Sequence, residues 1–219
     1  MLTQQIIQGD CKDVLPTLPA DSVDLVLIDP PYLARYKDRC GRTLANDDNP
    51  AAVVGAYGEL YRVLKWDRFC VTFYGYTRLD AFTRAWTEAG FRIVGHIVWT
   101  KRYVSNSRFT RLAHESACLL AKGWPQKLLS PILDVQPWEY TGNRAHPTEK
   151  AVHILEPLIR SFSQPDDLVL DAFSGSGSTL VAAALCGRRY LGIELEAKYV
   201  ELAKRRLAGV ERVKSVRAL

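Results

Sequence analysis

Residues 167–179 read DLVLDAFSGSGST. An apolar run leads to an aspartate, a glycine-rich turn follows, and a helix-compatible stretch running to Cys186 comes next. A strand that stops at a glycine turn and restarts as a helix is the building unit of a parallel α/β sheet. In such sheets ligands sit outside the carboxyl ends of the strands.

Three ligand classes compete for this turn. A phosphate-cradling loop needs a lysine after its last glycine, and Ser178 follows Gly177. A dinucleotide fingerprint asks for a third glycine where Leu180 stands. What remains is a strand-terminal acid, Asp171, followed by Gly175 and Gly177, which let the backbone approach a ligand with no Cβ in the way. Glu194, closing the next expected strand, stands where this architecture accepts a ribose diol. An acid beside the turn favours a ligand carrying positive charge. Together these residues suit S-adenosylmethionine, its amine and sulfonium near Asp171 and its ribose on Glu194. A glycine turn with a purely structural role is the other reading.

Outward from this stretch, apolar runs alternate with helical patterns. Strands are expected at 4–10, 23–29, 68–75, 91–101, 115–123, 167–173 and 188–195. Within 23–29 the stretch from Leu25 to Ile28 is continuously apolar, as a strand covered on both faces is. The strands at 91–101 and 115–123 read as an antiparallel pair. Helices are expected at 50–64, 77–90 with a stop at Gly90, 148–162, 178–186 and 197–210. Prolines 125, 131, 137 and 147 punctuate an irregular stretch, with residues 124–145 as the expected insertion within a single 1–219 domain.

The chain has 219 residues, 47% hydrophobic and 24% charged, which is ordinary globular composition. No apolar window reaches the length of a membrane span, and the first residues lack a secretory layout, so a cytoplasmic protein is expected. Five scattered cysteines without a C-x-x-C pair read as reduced thiols rather than a disulfide framework or zinc site, and no metal is expected. A net charge of +5 is compatible with a polyanionic partner and equally with none.

The apolar run at 23–29 ends in LIDPPY (27–32), a carboxylate, a stiff elbow and an aromatic ring. An exocyclic amine conjugated to a nucleobase is a poor nucleophile. Acceptors that hold both of its N–H groups draw the nitrogen toward tetrahedral geometry. Asp29 supplies one acceptor and the Pro30 carbonyl another, Pro31 stiffens the turn, and Tyr32 offers a face on which an extruded base can stack. With the sulfonium as electrophile, placement and electrostatics suffice and no strong general base is needed. A bare D-P-P-Y tetrapeptide can also be a simple turn.

At this point the chain is identified as resembling the amino-group DNA methyltransferases of the N6-adenine/N4-cytosine family over most of its length. DPPY (29–32) resembles the family's catalytic motif, and DAFSGSGST (171–179) its cofactor loop. HPTEK (146–150) resembles the segment before that loop, and GIELEAKYV (192–200) the ribose-binding strand and following helix. GD (9–10) matches the place where an acid meets the cofactor's adenine. The motif order resembles the β-type arrangement, in which a variable region, here 124–145, carries target recognition. Ala151 stands where the family usually has proline after the lysine.

The resemblance implies a Rossmann-like S-adenosylmethionine-dependent fold, a seven-stranded, mostly parallel sheet with one antiparallel strand. It implies that Asp29, Pro30, Pro31 and Tyr32 hold the target base. The cofactor would meet Asp10, Asp29, His146, Thr148, Lys150, Asp171, Phe173, Gly175, Gly177 and Glu194. Double-stranded DNA is the implied partner, and a homodimer is a further one, since β-type relatives are often dimers.

Two basic, aromatic-bearing stretches are candidates for the DNA backbone: Arg35, Lys37, Arg39 and Arg42 after the catalytic turn, and Lys101, Arg102, Arg108 and Arg111. Either can also be a solvated loop. DPPY leans to adenine N6, with cytosine N4 as the alternative base. RNA as acceptor and a catalytically silent nucleic-acid-binding module stay open as other classes.

Overall fold

In the computed structural model, the described residues are 4–33, 47–106, 109–138 and 150–217. One twisted sheet carries the fold. Its strands are β1 (Gln5–Gln8), β2 (Val23–Ile28), β3 (Leu64–Phe73), β4 (Arg92–Asn106), β5 (Arg111–Lys122), β6 (Val135–Pro137), β7 (Leu168–Asp171) and β8 (Arg189–Glu194). The spatial order is β1-β8-β7-β2-β3-β5-β4-β6, with only β5 running against its neighbours among the described strands. The helices are α1 (Cys11–Val14), α2 (Pro50–Val54), α3 (Ala56–Val63), α4 (Leu79–Ala89), α5 (Val152–Phe162), α6 (Ser178–Leu185) and α7 (Ala197–Arg217).

Strand β2 is buried at all six positions. Val26 and Ile28 join Tyr57, Leu60, Phe82 and Trp86 of α3 and α4 on one face. Leu25 and Leu27 join Leu155, Leu158 and Ile159 of α5 and Leu180 of α6 on the other. Two covered faces explain why this strand is apolar from Leu25 to Ile28 instead of alternating. Helices that follow β2 and β7 lie on opposite faces, so the chain reverses its winding between these paired strands. The crevice at their carboxyl ends is therefore the topological switch point, where ligands bind in open α/β sheets.

The expected sheet of seven strands gains an eighth, β6, inside the proline-punctuated stretch. It has three residues and ends in Pro137, too short for any periodicity, and it sits on the sheet edge where a missing N–H costs no ladder bond. The 50–64 helix is broken at Gly55 into α2 and α3, and β3 starts directly from α3 at Leu64. Gly90 closes α4 as expected, at φ +101°. At the opposite end of the strands, buried Asp24 ties three of them together. It accepts from Lys65 Nζ at 2.7 Å and from the backbone N–H of Leu168 at 2.9 Å. No helix among the described residues is long and apolar enough to cross a membrane, and no described acid, histidine and cysteine group could hold a metal ion.

Candidate active site

The Asp29 turn and the glycine turn leave adjacent strands, because Val26 of β2 pairs with Leu170 of β7. Two of the sequence's separate motifs thus meet at one crevice. At Asp29 the side chains form a closed triad. Tyr32 Oη donates to Asp29 Oδ1 at 3.0 Å, and Lys150 Nζ donates to Asp29 Oδ2 at 2.5 Å and to Tyr32 Oη at 3.3 Å. The resemblance groups Lys150 with the cofactor contacts; the fold brings it onto the carboxylate of Asp29, another of those expected contacts. Its ammonium also lies 4.8 Å from the Phe73 ring centroid and 5.4 Å from that of Tyr32.

Burial pushes the Asp29 carboxyl up from its ordinary range, and the Lys150 charge and hydrogen bond pull it back. Burial also pushes the Tyr32 phenol up, reinforced by the Asp29 and Glu115 charges. The turn itself is tightly constrained. Leu33, the next residue, is held at φ +59°, an unusual conformation for a side chain of its size. Gly75, just past β3, packs against Tyr32 so closely that a Cβ there would lie 2.6 Å from the Tyr32 carbonyl oxygen.

In the glycine turn, Gly177 adopts φ +81° and opens α6. A Cβ on it would come within 2.7 Å of the Ala203 Cβ of α7, so glycine is required both by conformation and by space. Gly175 N–H donates to Glu194 Oε2 at 2.8 Å, and Glu196 N–H to Glu194 Oε1 at 2.8 Å. Each carboxylate oxygen keeps unused acceptor capacity, while burial pushes the group up from its usual range. The backbone N–H of Gly9 meets the Glu194 carbonyl at 2.9 Å, which sets Asp10 beside the end of β8. Asp10 caps α1, accepting from the Lys12 N–H at 3.0 Å.

Asp171 accepts from the Phe173 N–H at 3.0 Å. Burial pushes its carboxyl up to about 7, countered by a Thr179 hydrogen bond, with Asp29 and Glu194 adding like charge. Asp29, Asp171 and Glu194 therefore line one crevice at the ends of three adjacent strands, a field that favours a cationic ligand.

Sequence reasoning misses two residues here. Glu115 adds its charge to both Asp29 and Tyr32. Because β5 is reversed, its start lies where its neighbours end, and Glu115 comes just before the Ala117–Phe73 pair. An acid near the start of a strand expected to be antiparallel was the signal available. Arg206 of α7 donates to the Ser176 carbonyl and to Ser176 Oγ, both at 2.8 Å, and so braces the glycine turn. Nothing local in sequence marks it.

Of the basic residues expected at DNA, Arg102 and Arg111 are exposed on the β4–β5 hairpin. Lys101 differs: its side chain is 9% exposed and ion-paired with Glu115. Facing residues on paired strands share a sheet face, and the Trp99–Glu115 pairing turns Lys101, two residues on, toward the same side. Arg35, Lys37, Arg39, Arg42, Arg108, His146 and Thr148 lie outside the described residues.

A family model described as DNA methylase, for N6/N4 methyltransferases, matches residues 23–205. A candidate methylase of Escherichia coli (strain K12), YubD, is 51% identical over 208 residues, 95% of this chain and 92% of its own. The type II methyltransferase M2.MboI of Moraxella bovis is 31% identical over 240 residues, 92% of this chain and 86% of its own. A candidate DNA modification methylase of Thermus thermophilus, solved in complex with S-adenosyl-L-methionine, shares the fold with a TM-score of 0.73 at 25% identity, over 95% of this chain and 96% of that one.

Proposed function

The chain belongs to this family of DNA methylases, and from that premise we propose that it transfers the methyl group of S-adenosylmethionine to the exocyclic N6 of an adenine flipped out of double-stranded DNA. The observation that carries the reading is the shared crevice, with an acid-and-aromatic turn from β2 beside an acid-lined glycine turn from β7.

The residues fit that cofactor. Asp171 and Asp29 end adjacent strands at the crevice and, when ionised, can balance an ammonium and a sulfonium, while Glu194 has acceptor capacity left for ribose hydroxyls. Asp10, beside the end of β8, would meet the adenine moiety in this reading, with Phe173 and Gly175 along the same pocket. When bound, S-adenosylmethionine supplies an electrophilic methyl on a positively charged sulfur.

The chain's own residues do the rest. Asp29 Oδ and the Pro30 carbonyl accept the two N–H groups of the target amine. The Tyr32 ring stacks on the base, while its hydroxyl holds Asp29 in orientation. As the nitrogen takes the methyl it becomes cationic, and Asp29 stabilises that charge and can take the released proton. The 124–145 stretch reads the target sequence, and Arg102 and Arg111 contact phosphates.

Labelled methyl transfer from S-adenosylmethionine to unmethylated DNA, with nucleoside analysis, tests this. N6-methyladenine is the expected product. N4-methylcytosine would keep the mechanism and overturn the base. No label in DNA, with label in RNA or nowhere, would overturn the reading.

Gly75→Ala gives a sharper check of the catalytic turn. Its Cβ must displace Tyr32, so kcat is expected to fall about tenfold to a hundredfold with cofactor affinity retained. An unchanged kcat would mean that the exact seat of Tyr32 does not matter.

A further inference from the structure

The indoles of Trp99 and Trp138 both bury a ring N–H that meets no hydrogen-bond partner. Buried donors are ordinarily paired, so each of these asks for an explanation. Trp99 is fully enclosed and stacks on Phe73 with ring centroids 5.1 Å apart, out of reach of any ligand. Trp138 is different. It is only half-buried, and its ring centroid lies 6.0 Å from Lys150 Nζ and 5.8 Å from Lys101 Nζ. It packs against the same core layer as Tyr32. Its backbone N–H donates to the Thr100 carbonyl at 2.9 Å, extending the β6–β4 pairing, so the sheet and not a free loop sets the ring's position.

We propose that the Trp138 indole N–H is a specificity-determining donor, held for the ring nitrogen next to the target amine of the flipped base. This rests on the base-flipping reading above. Lys150 Nζ donates to Asp29, the side chain which that reading gives the target amine as acceptor, and to the Tyr32 hydroxyl that orients it. A base whose amine reaches Asp29 beside that ammonium brings its Watson–Crick edge to the Trp138 ring.

The chemistry of that edge makes one donor discriminating. Next to the amine-bearing carbon, adenine N1 and cytosine N3 are acceptors. Guanine N1 and thymine N3 carry hydrogens there instead, and would set one N–H against another. The neighbouring lysines do not duplicate the contact: Lys101 is committed to Glu115, and Lys150 to Asp29. Trp138 thus checks that a flipped base has an acceptor beside its amine before methyl transfer.

The test compares wild type with Trp138→Phe on DNA carrying the mapped target site, with either adenine or 1-deazaadenine at the target position. Any effect of the analogue on the duplex itself is common to both enzymes. Wild type is expected to lose roughly tenfold in kcat/KM on the analogue. Trp138→Phe is expected to be about tenfold slower on adenine and to make no further distinction. Trp138→His, which keeps a ring N–H, should restore part of the discrimination.

A variant that discriminates as wild type does, or a wild type indifferent to the missing nitrogen, overturns the proposal. The second outcome holds even where the phenylalanine variant does not fold. A wild type that methylates cytosine takes the same test with 3-deazacytosine. A wild type that methylates no DNA brings down the function itself, and this inference with it.

Discussion

Asp29→Ala is expected to lower methyl transfer by at least about a hundredfold while cofactor affinity stays within a few-fold of wild type. Asp29 is the only side-chain acceptor that the proposed mechanism gives the target amine, and it also carries the charge that balances the nitrogen as it becomes cationic. The substitution has a structural consequence as well. Lys150, with a 9% exposed side chain, loses its Asp29 ion-pair partner and, among the described residues, keeps the Tyr32 hydroxyl at 3.3 Å as its hydrogen-bond partner. Leaving a largely buried ammonium unpaired costs about 2–4 kcal/mol, so the variant should melt earlier. Asp29→Asn separates the two effects, since it keeps the shape and one acceptor oxygen but removes the charge. Single-turnover transfer beside cofactor titration is the measurement. Undiminished transfer by a folded Asp29→Ala protein would remove this carboxylate from the machinery.

Lys150→Met is expected to move the acid limb of the pH–rate profile to higher pH. Burial raises the Asp29 carboxyl, and the Lys150 charge and hydrogen bond are the largest opposing influences. Removing the lysine leaves desolvation unopposed except by Tyr32, so Asp29 rises further. The sign follows directly. The mechanism needs the ionised carboxylate, a higher value leaves less of it at neutral pH, and activity returns as pH rises. Where the acid limb moves up by about one on the pH scale, activity along it falls about tenfold. A deficit of about tenfold or more at about pH 7 should therefore shrink by about pH 9. Lys150→Arg, which keeps a cation, should stay near wild type. A deficit that is the same at every pH would make Lys150 a packing residue only.

Much of this site is legible in the chain. The apolar run Leu25–Ile28 of β2 announces a strand covered on both faces, and an acid at its end announces a crevice. Gly175 and Gly177 mark a turn where backbone passes close to other groups, and Glu194 then meets the Gly175 N–H across it. Local pattern misled where the fold overrode it. The expected strand ends at Lys101, which opens a basic stretch with Arg102, yet β4 runs on to Asn106 and turns the Lys101 side chain to Glu115. Strand β6 is too short to have a pattern, and it is what sets Trp138 beside Lys150.

The sequence by itself determined which groups could do chemistry and at which strand ends they stand. Those features depend on neighbours one to four residues away, whose spacing the backbone geometry sets. Tertiary structure alone decided which of those groups share a pocket. Lys150 reaches Asp29 across 121 positions, and Glu115 reaches it because one strand is reversed. Such partners depend on sheet order and register. The burial of both sheet faces sets these collectively, and no short stretch of chain carries enough of that energy to announce them.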